Sequence, residues 1–335
     1  MDHRLDRISR RRFGALCVWV ASPAAWAQSA GKPIRVGVLL SGSPEQWSVL
    51  EQALVEGLHE RGYDEGRNLT LLRRYGGLQA TRIRAAAAEL AGLKVDAIVT
   101  SCVGTTRAAA SAAPDTPIVF VSVADPVLYG LVQSLPRPGG NVTGRASMSV
   151  ELVPKRLEIL RSFLPEGARS GLRVAVLAVA DDPWHEHQWR SAQGVAAVLN
   201  LNPVRVPIAM ADVDAALATL ARSQAQAVLV LTDNPMMVEK RAAIAAALIG
   251  LKLPSISGMR LHAEVGGLAA YGPDVREDCR LSAAHVIKVA HGASPATLPI
   301  EQPTSVQLTI NLKTAAALGL TVPRELLLRA DATIS

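Results

Sequence analysis

The side chains in this sequence best suited to hold a small molecule stand at the ends of its apolar runs. Ser41 and Ser43 follow the run 35–40, Ser101, Cys102 and Thr105 follow 95–100, and the run 117–122 ends in Ser122, with Asp125 just beyond. In the second half Asp181 and Asp182 follow 173–178, while 225–232 is followed by Asp233 and Asn234. Hydroxyls, carboxylates and the free N–H groups of helix starts suit reversible capture of a solute, and in parallel sheets ligands sit beyond the carboxyl ends of the strands.

Bond-making chemistry has no such foundation. No G-x-S-x-G turn offers a strained nucleophile, and neither G-x-G-x-x-G nor G-x-x-x-x-G-K-[ST] is present to cradle a phosphate. His185 and His187 form the one tight histidine pair, yet at i and i+2 of a helix their rings diverge by roughly 200°. They read as a solvated helix entry, and the sequence assigns neither a metal nor a cofactor. The neighbouring carboxylates of Asp181 and Asp182 point apart; Asp182 before Pro183 suits a helix cap, with a ligand ammonium as its other possible partner.

The elements that must position these residues alternate β-branched runs with Ala-rich helical stretches, the pattern of a parallel sheet covered on both faces. Strands are expected at 35–40, 95–100 and 117–122, separated by helices at 47–61, 80–92 and 105–113. The same grammar returns as strands at 173–178, 225–232 and 253–257 with helices at 186–199, 213–223 and 236–249. The expected fold is therefore α/β, with two doubly wound parallel-sheet lobes facing each other across a cleft. Trp47 and Trp184 occupy similar offsets after the first strand of each lobe, at the cleft lip or packed on their own lobes. Tyr271 lies just ahead of a helix at 274–291, where it serves hinge packing or ring stacking.

The charge balance first suggests a nucleic-acid partner, with 35 Lys and Arg against 29 Asp and Glu and a net charge of +6. Five of those arginines, however, fall in the first twelve residues, ahead of an uncharged stretch 13–27 that closes on Ala25-Trp26-Ala27. That is the plan of a cleaved export signal over 1–27, and Ser9-Arg10-Arg11-Arg12-Phe13 resembles the twin-arginine motif. The stretch is too short and too rich in Ala, Ser and Pro to span a membrane, which takes about 20 strongly apolar residues. Without it the chain keeps thirty basic and twenty-seven acidic residues, dispersed along the sequence, and aromatic residues make up only 4% of the full sequence. The expectation is a periplasmic protein that neither inserts in the membrane after cleavage nor binds nucleic acid. Cys102 and Cys279 remain in the cleaved chain, as a disulfide or as two packed thiols.

The block 118–127, ending in Asp125-Pro126-Val127, followed by Gly130-Leu131-Val132 and by Arg137-Pro138-Gly139-Gly140-Asn141-Val142-Thr143-Gly144, resembles the ABC transporter substrate-binding proteins of the tryptophan/tyrosine-binding (TrpX-like) type. Gly57-Leu58, Arg61-Gly62-Tyr63, Tyr271-Gly272-Pro273-Asp274, the segment 298–303 and Asn311-Leu312-Lys313 extend the likeness over essentially the whole exported chain. The resemblance implies a type I periplasmic-binding fold with three crossings between lobes: at Thr143-Gly144, near Ser257-Gly258, and at Glu301-Gln302-Pro303. Lobe 1 would then comprise 34–145 and 259–300, and lobe 2 146–258 and 301–335. It also implies a non-catalytic solute receptor for the membrane subunits of an ABC permease. A solute carboxylate would meet Ser101, Cys102 and Thr105, or Ser41 and Ser43; its ammonium would meet Asp125 or Asp233. The alternative role is a ligand-sensing subunit that signals to a membrane kinase or chemoreceptor.

Overall fold

The computed structural model describes residues 32–209 and 212–335, with Ala168 described by its backbone only. The export signal expected over 1–27 lies outside these residues, as does Cys17.

The first lobe grows from β1 (Ile34–Leu40), whose apolar run is buried on both faces, as a central parallel strand requires. It is followed by α1 (Pro44–His59), β2 (Leu69–Tyr75), α2 (Ala80–Gly92), β3 (Ala97–Thr100), α3 (Val103–Ala112), β4 (Ile118–Val123) and β5 (Val142–Ala146). The five strands form one parallel sheet in the order β2-β1-β3-β4-β5. Helix α1 starts with Pro44 in its first turn and buries Trp47, Leu50, Leu54 and Leu58, the three- and four-residue spacing of one helical face.

The chain then crosses and builds the second lobe: α4 (Val153–Ser162), β6 (Leu172–Val179), α5 (Pro183–Leu199), β7 (Leu201–Ile208), α6 (Val213–Arg222), β8 (Ala227–Val230), α7 (Pro235–Glu239), α8 (Arg241–Gly250), β9 (Ser255–Ser257), α9 (Arg260–Glu264) and β10 (Ala269–Gly272). Next, α10 (Val275–Ala290) returns to the first lobe, and the chain ends in the second with β11 (Gln307–Asn311), α11 (Leu312–Ala317), α12 (Arg324–Arg329) and β12 (Ala332–Ile334). The second sheet runs β12-β11-β10-β9-β8-β6-β7, parallel except for the β10–β11 pair. Each sheet has an apolar cluster on either face, so the α/β fold with two doubly wound lobes is the fold observed.

Several details differ from the sequence expectation. Residues 269–272, expected in lobe 1, belong to the second sheet, where β10 pairs with β9 on one side and β11 on the other. The second crossing falls after Gly272 because Pro273 has no N–H with which to continue the ladder. The helix expected over 236–249 is two helices, α7 and α8, meeting at Lys240. The strands β2 and β7 were absent from the expectation: Arg73 and Arg74 break the apolar run of β2, and Pro203 and Pro207 that of β7. Both are edge strands, where such residues are tolerated.

The first and third crossings lie side by side. Ala146 N–H donates to Glu301 O at 2.9 Å and Glu301 N–H to Gly144 O at 3.1 Å. Arg145 is held between them and α10, donating to Asp278 Oδ1 at 3.0 Å and to Glu301. Gly144 has φ +145°, and a Cβ there would stand 2.1 Å from Phe120 O, so the crossing strand passes β4 where a side chain does not fit.

Candidate functional site

In each sheet the strand order reverses around the first strand of the lobe, β1 or β6, and the carboxyl ends of these strands face a common cleft. The cleft has two chambers that share Ser101, Ser122, Asp233 and Pro235. The inner one is a slot driven into the first lobe, walled by Leu40, Trp47, Leu54, Val99, Val121 and Cys279 among others, with about 860 Å³ of atom-free space including its mouth. The outer one is a polar vestibule of about 730 Å³ on the same measure, lined by the start of α3, by Tyr129, and by Asp181, Asp182, Trp184 and Asn234.

Asp233 sits where the chambers meet. Ser149 Oγ donates to its Oδ1 at 2.5 Å and Ser147 Oγ at 3.5 Å, and Gln188 Nε2 donates to its Oδ2 at 2.9 Å. All three donors are neutral side chains. Behind this cluster Arg156 is fully buried and spends Nε on Tyr271 O (2.8 Å) and Nη1 on Ser149 O (3.0 Å). Burial lowers the guanidinium to about 10, although Asp233 and Tyr271 oppose the shift.

Ser122 lines both chambers from a bulge in β4, where the register to β5 shifts between Phe120 and Val123. Its φ of +51° is the left-handed conformation that side chains rarely adopt, a local strain of the kind that concentrates at functional sites.

The vestibule is closed by contacts between lobes. Tyr129, on the loop after β4, donates its hydroxyl to Asp182 Oδ1 at 3.0 Å and accepts from Trp184 N–H at 3.2 Å. Burial and then the charge of Asp182 hold the Tyr129 phenol well above its ordinary value, so it stays a donor. Asp182 also caps α5 through Trp184 N–H and His185 N–H and accepts from Asn234 Nδ2 at 2.7 Å. Burial alone would raise its carboxyl, but His185, Asn234, the helix N–H and Tyr129 together hold it below the usual carboxylate range. Farther along the cleft Arg241 of lobe 2 donates to Gln46 Oε1 of lobe 1 at 2.6 Å.

The cleft brings together eight of the thirteen residues expected from sequence: Trp47, Ser101, Cys102, Ser122, Asp182, Trp184, Asp233 and Asn234. The other five do other work. Ser43 is the N-cap position of α1, and Thr105 belongs to a capping box with Cys102, accepting from Cys102 N–H at 3.1 Å. Asp125 is spent on the N–H groups of Val127 and Leu128, both at 3.0 Å. Ser41 lies buried under the cleft with its N–H on Ser101 Oγ, and Tyr271 packs on the apolar core of the second lobe. Sequence reasoning missed Tyr129, Ser147, Ser149 and Gln188. The pair Ser147-x-Ser149 directly after the first crossing is the one local signal that pointed to any of them.

The indole N–H groups of Trp47 and Trp184, each on a residue only 5% exposed, find no partner among the described residues. Cys102 and Cys279 are both free thiols, which settles the alternative the sequence left open. No helix of the described residues is long and apolar enough to cross a membrane.

Comparison with known proteins agrees with this geometry. A family described as ABC transporter substrate binding protein matches residues 35–334. A tyrosine-binding protein of Clostridioides difficile (strain R20291) is 25% identical over 272 residues, 81% of this chain and 76% of that one. Among solved structures, a conserved domain protein of Vibrio cholerae superposes with a TM-score of 0.82 at 26% identity, over 90% of this chain and 100% of that one. An ABC domain from Streptococcus pneumonia in complex with L-Trp has the same score and coverage at 22% identity.

Proposed function

Because the chain belongs to the ABC transporter substrate-binding protein family, we propose that it is the solute receptor of an ABC importer and that its solute is amino-acid-like, with an apolar side chain lodged in the slot. The observation that carries this reading is the pairing of the two chambers: an apolar slot opens onto a charged carboxylate at Asp233, with hydroxyls of Ser101, Ser122, Ser147 and Ser149 around the junction. A side chain enters the slot while the polar end stays at the junction. The tyrosine and tryptophan ligands of the two relatives are of that shape.

Capture then follows from the architecture. With the lobes apart a solute reaches the junction, and closure about the three crossings excludes water and completes the contacts of Tyr129 and Arg241 between lobes. A permease recognises the closed form. No enzymatic step is needed, and the family is one of binding proteins. Work in the periplasm fits the arginine-led segment ahead of residue 28, and replacing Arg10 and Arg11 together by Lys should leave the protein in the cytoplasm if the twin-arginine route carries it.

The test is calorimetric titration of the chain from residue 28 onward against the twenty amino acids one at a time. Saturable 1:1 binding of apolar or aromatic members is the expected result. Heat from none of them, with the protein folded, would remove the amino-acid part of the proposal.

A further inference from the structure

We infer that this cleft recognises its solute through an ammonium group and that a carboxylate on the solute is dispensable, so that primary amines with a compact apolar tail belong to its ligand class. The inference rests on the reading of the cleft as the solute site.

The charges of the lining carry the argument. Among the described residues that line the two chambers, Glu51, Asp181, Asp182 and Asp233 bring four carboxylates, and none is Lys, Arg or His. Two of the four are already committed. Glu51 is paired with Arg73 and accepts from Tyr75, and Asp182 caps α5. Asp181 lies at the vestibule end, on a left-handed turn with φ +56°. Asp233 alone stands where both chambers meet, and only neutral donors reach it.

A compensating charge comes from Arg156. It is fully buried, is not part of the lining, and has its hydrogen bonds on backbone carbonyls, so it balances Asp233 from behind without closing the face that looks into the cleft. An ammonium at the junction therefore meets the Asp233 carboxylate with no cation of the lining beside it. A carboxylate in the same closed space meets hydroxyls and the start of α3, and it lies among other carboxylates. Removing an anion from water without a cation beside it is costly, whereas a charge-assisted hydrogen bond is among the stronger polar contacts. The slot beyond, with Leu40, Leu54, Val99 and Val121 on its walls, makes no demand on the solute except that its tail be apolar.

Two matched series test this by calorimetry at pH 7: L-phenylalanine, 2-phenylethylamine and 3-phenylpropanoate, and L-leucine, 3-methylbutylamine and 4-methylpentanoate. In at least one series the amine should bind within about tenfold of the amino acid and the acid about a hundredfold more weakly than the amine. An amino acid that binds together with its acid but not its amine overturns the inference and leaves the proposed function standing. Silence from all six compounds removes the amino-acid reading and this inference with it. Asp233→Asn, folded by its thermal transition, should weaken the bound amine about tenfold to a hundredfold; unchanged affinity in that variant also overturns the inference.

Discussion

The Tyr129 hydroxyl lies 3.0 Å from Asp182 Oδ1 and joins the two lobes at the mouth of the vestibule. Its second partner, Trp184 N–H, is also on the far lobe, so both hydrogen bonds of this hydroxyl exist only while the lobes are together. Asp182 in turn caps the helix that carries Trp184. One phenol thereby senses the position of a whole helix.

Tyr129→Phe should accordingly favour the open form. The lost bond is to a carboxylate and is worth about 1.5–3 kcal/mol, a tenfold to hundredfold change in the ratio of closed to open molecules. In the open form the hydroxyl meets water, so the variant should unfold at nearly the wild-type temperature. Small-angle scattering of the ligand-free protein is the direct measurement: the variant should show the larger radius of gyration, and superimposable profiles would mean that Tyr129 does not govern closure.

Much of this architecture is legible in the sequence because β1, β3, β4, β6 and β8 are short apolar runs buried on both faces, each followed by polar residues and a helix. Six cleft residues follow from that rule alone, and Trp47 and Trp184 from their matching offsets after β1 and β6. The closing contacts could not. Tyr129 and Asp182 are 53 residues apart, and Ser149 and Asp233 are 84 apart, with no periodicity that links them. Asp125 and Thr105 have strand-end positions like the residues of the cleft, but their polar atoms are taken by a turn and a cap nearby, Asp125 by the N–H groups of Val127 and Leu128 and Thr105 by the box with Cys102. The second crossing was misplaced for a similar reason. Gly258 looks like a chain exit, yet the open edge of β9 takes β10 as a partner before Pro273 stops the ladder.

Gly144→Ala should be among the most damaging single-methyl changes in the chain. The new Cβ would overlap Phe120 O at 2.1 Å, a backbone atom that cannot rotate away, and φ of +145° adds strain. A loss of about 2–4 kcal/mol follows. Gly167→Ala is the control, since a Cβ there meets nothing within 4 Å. Urea unfolding of the pair should show a clear drop in midpoint for the first only; equal midpoints would mean that the β4–β5 contact relaxes freely.

The two thiols should differ in reactivity. Cys102 is partly exposed at the start of α3, while Cys279 is buried in α10, where burial and then Asp278 and Asp274 push its thiol far up. Since the thiolate is the reactive form, an aromatic disulfide reagent added to the folded chain from residue 28 onward should titrate Cys102 quickly. Cys279 should react only in denaturant. Two fast equivalents would show that the slot, which Cys279 lines, opens widely in solution.

Stability between pH 4 and 6 should carry the mark of Asp278. Its side chain is 4% exposed, and burial raises the carboxyl from 3.8 to about 6 even though Arg145 beside it works the other way. An acid whose folded value is raised binds its proton more tightly in the native state, so its contribution is fully present below about pH 4 and is lost as pH climbs through 6. The loss amounts to about 1.5–4 kcal/mol. His262 opposes it. Burial, with help from Arg241, lowers that imidazole from 6.5 to about 4, so the unfolded chain takes up the proton first and stability falls as pH drops through the same window. The two slopes partly cancel in the wild type, which makes the difference between variants the useful quantity. Asp278→Asn keeps the shape of the neutral acid. It should match the wild type near pH 4 and exceed it increasingly up to pH 7, because the native state no longer has to bury a charge that Arg145 only partly offsets. Urea titrations at half-unit steps of pH would show this as a widening gap; a constant gap, or a variant that falls behind as pH rises, would mean that Arg145 and the crossing strands hold the Asp278 carboxylate ionised at no net cost.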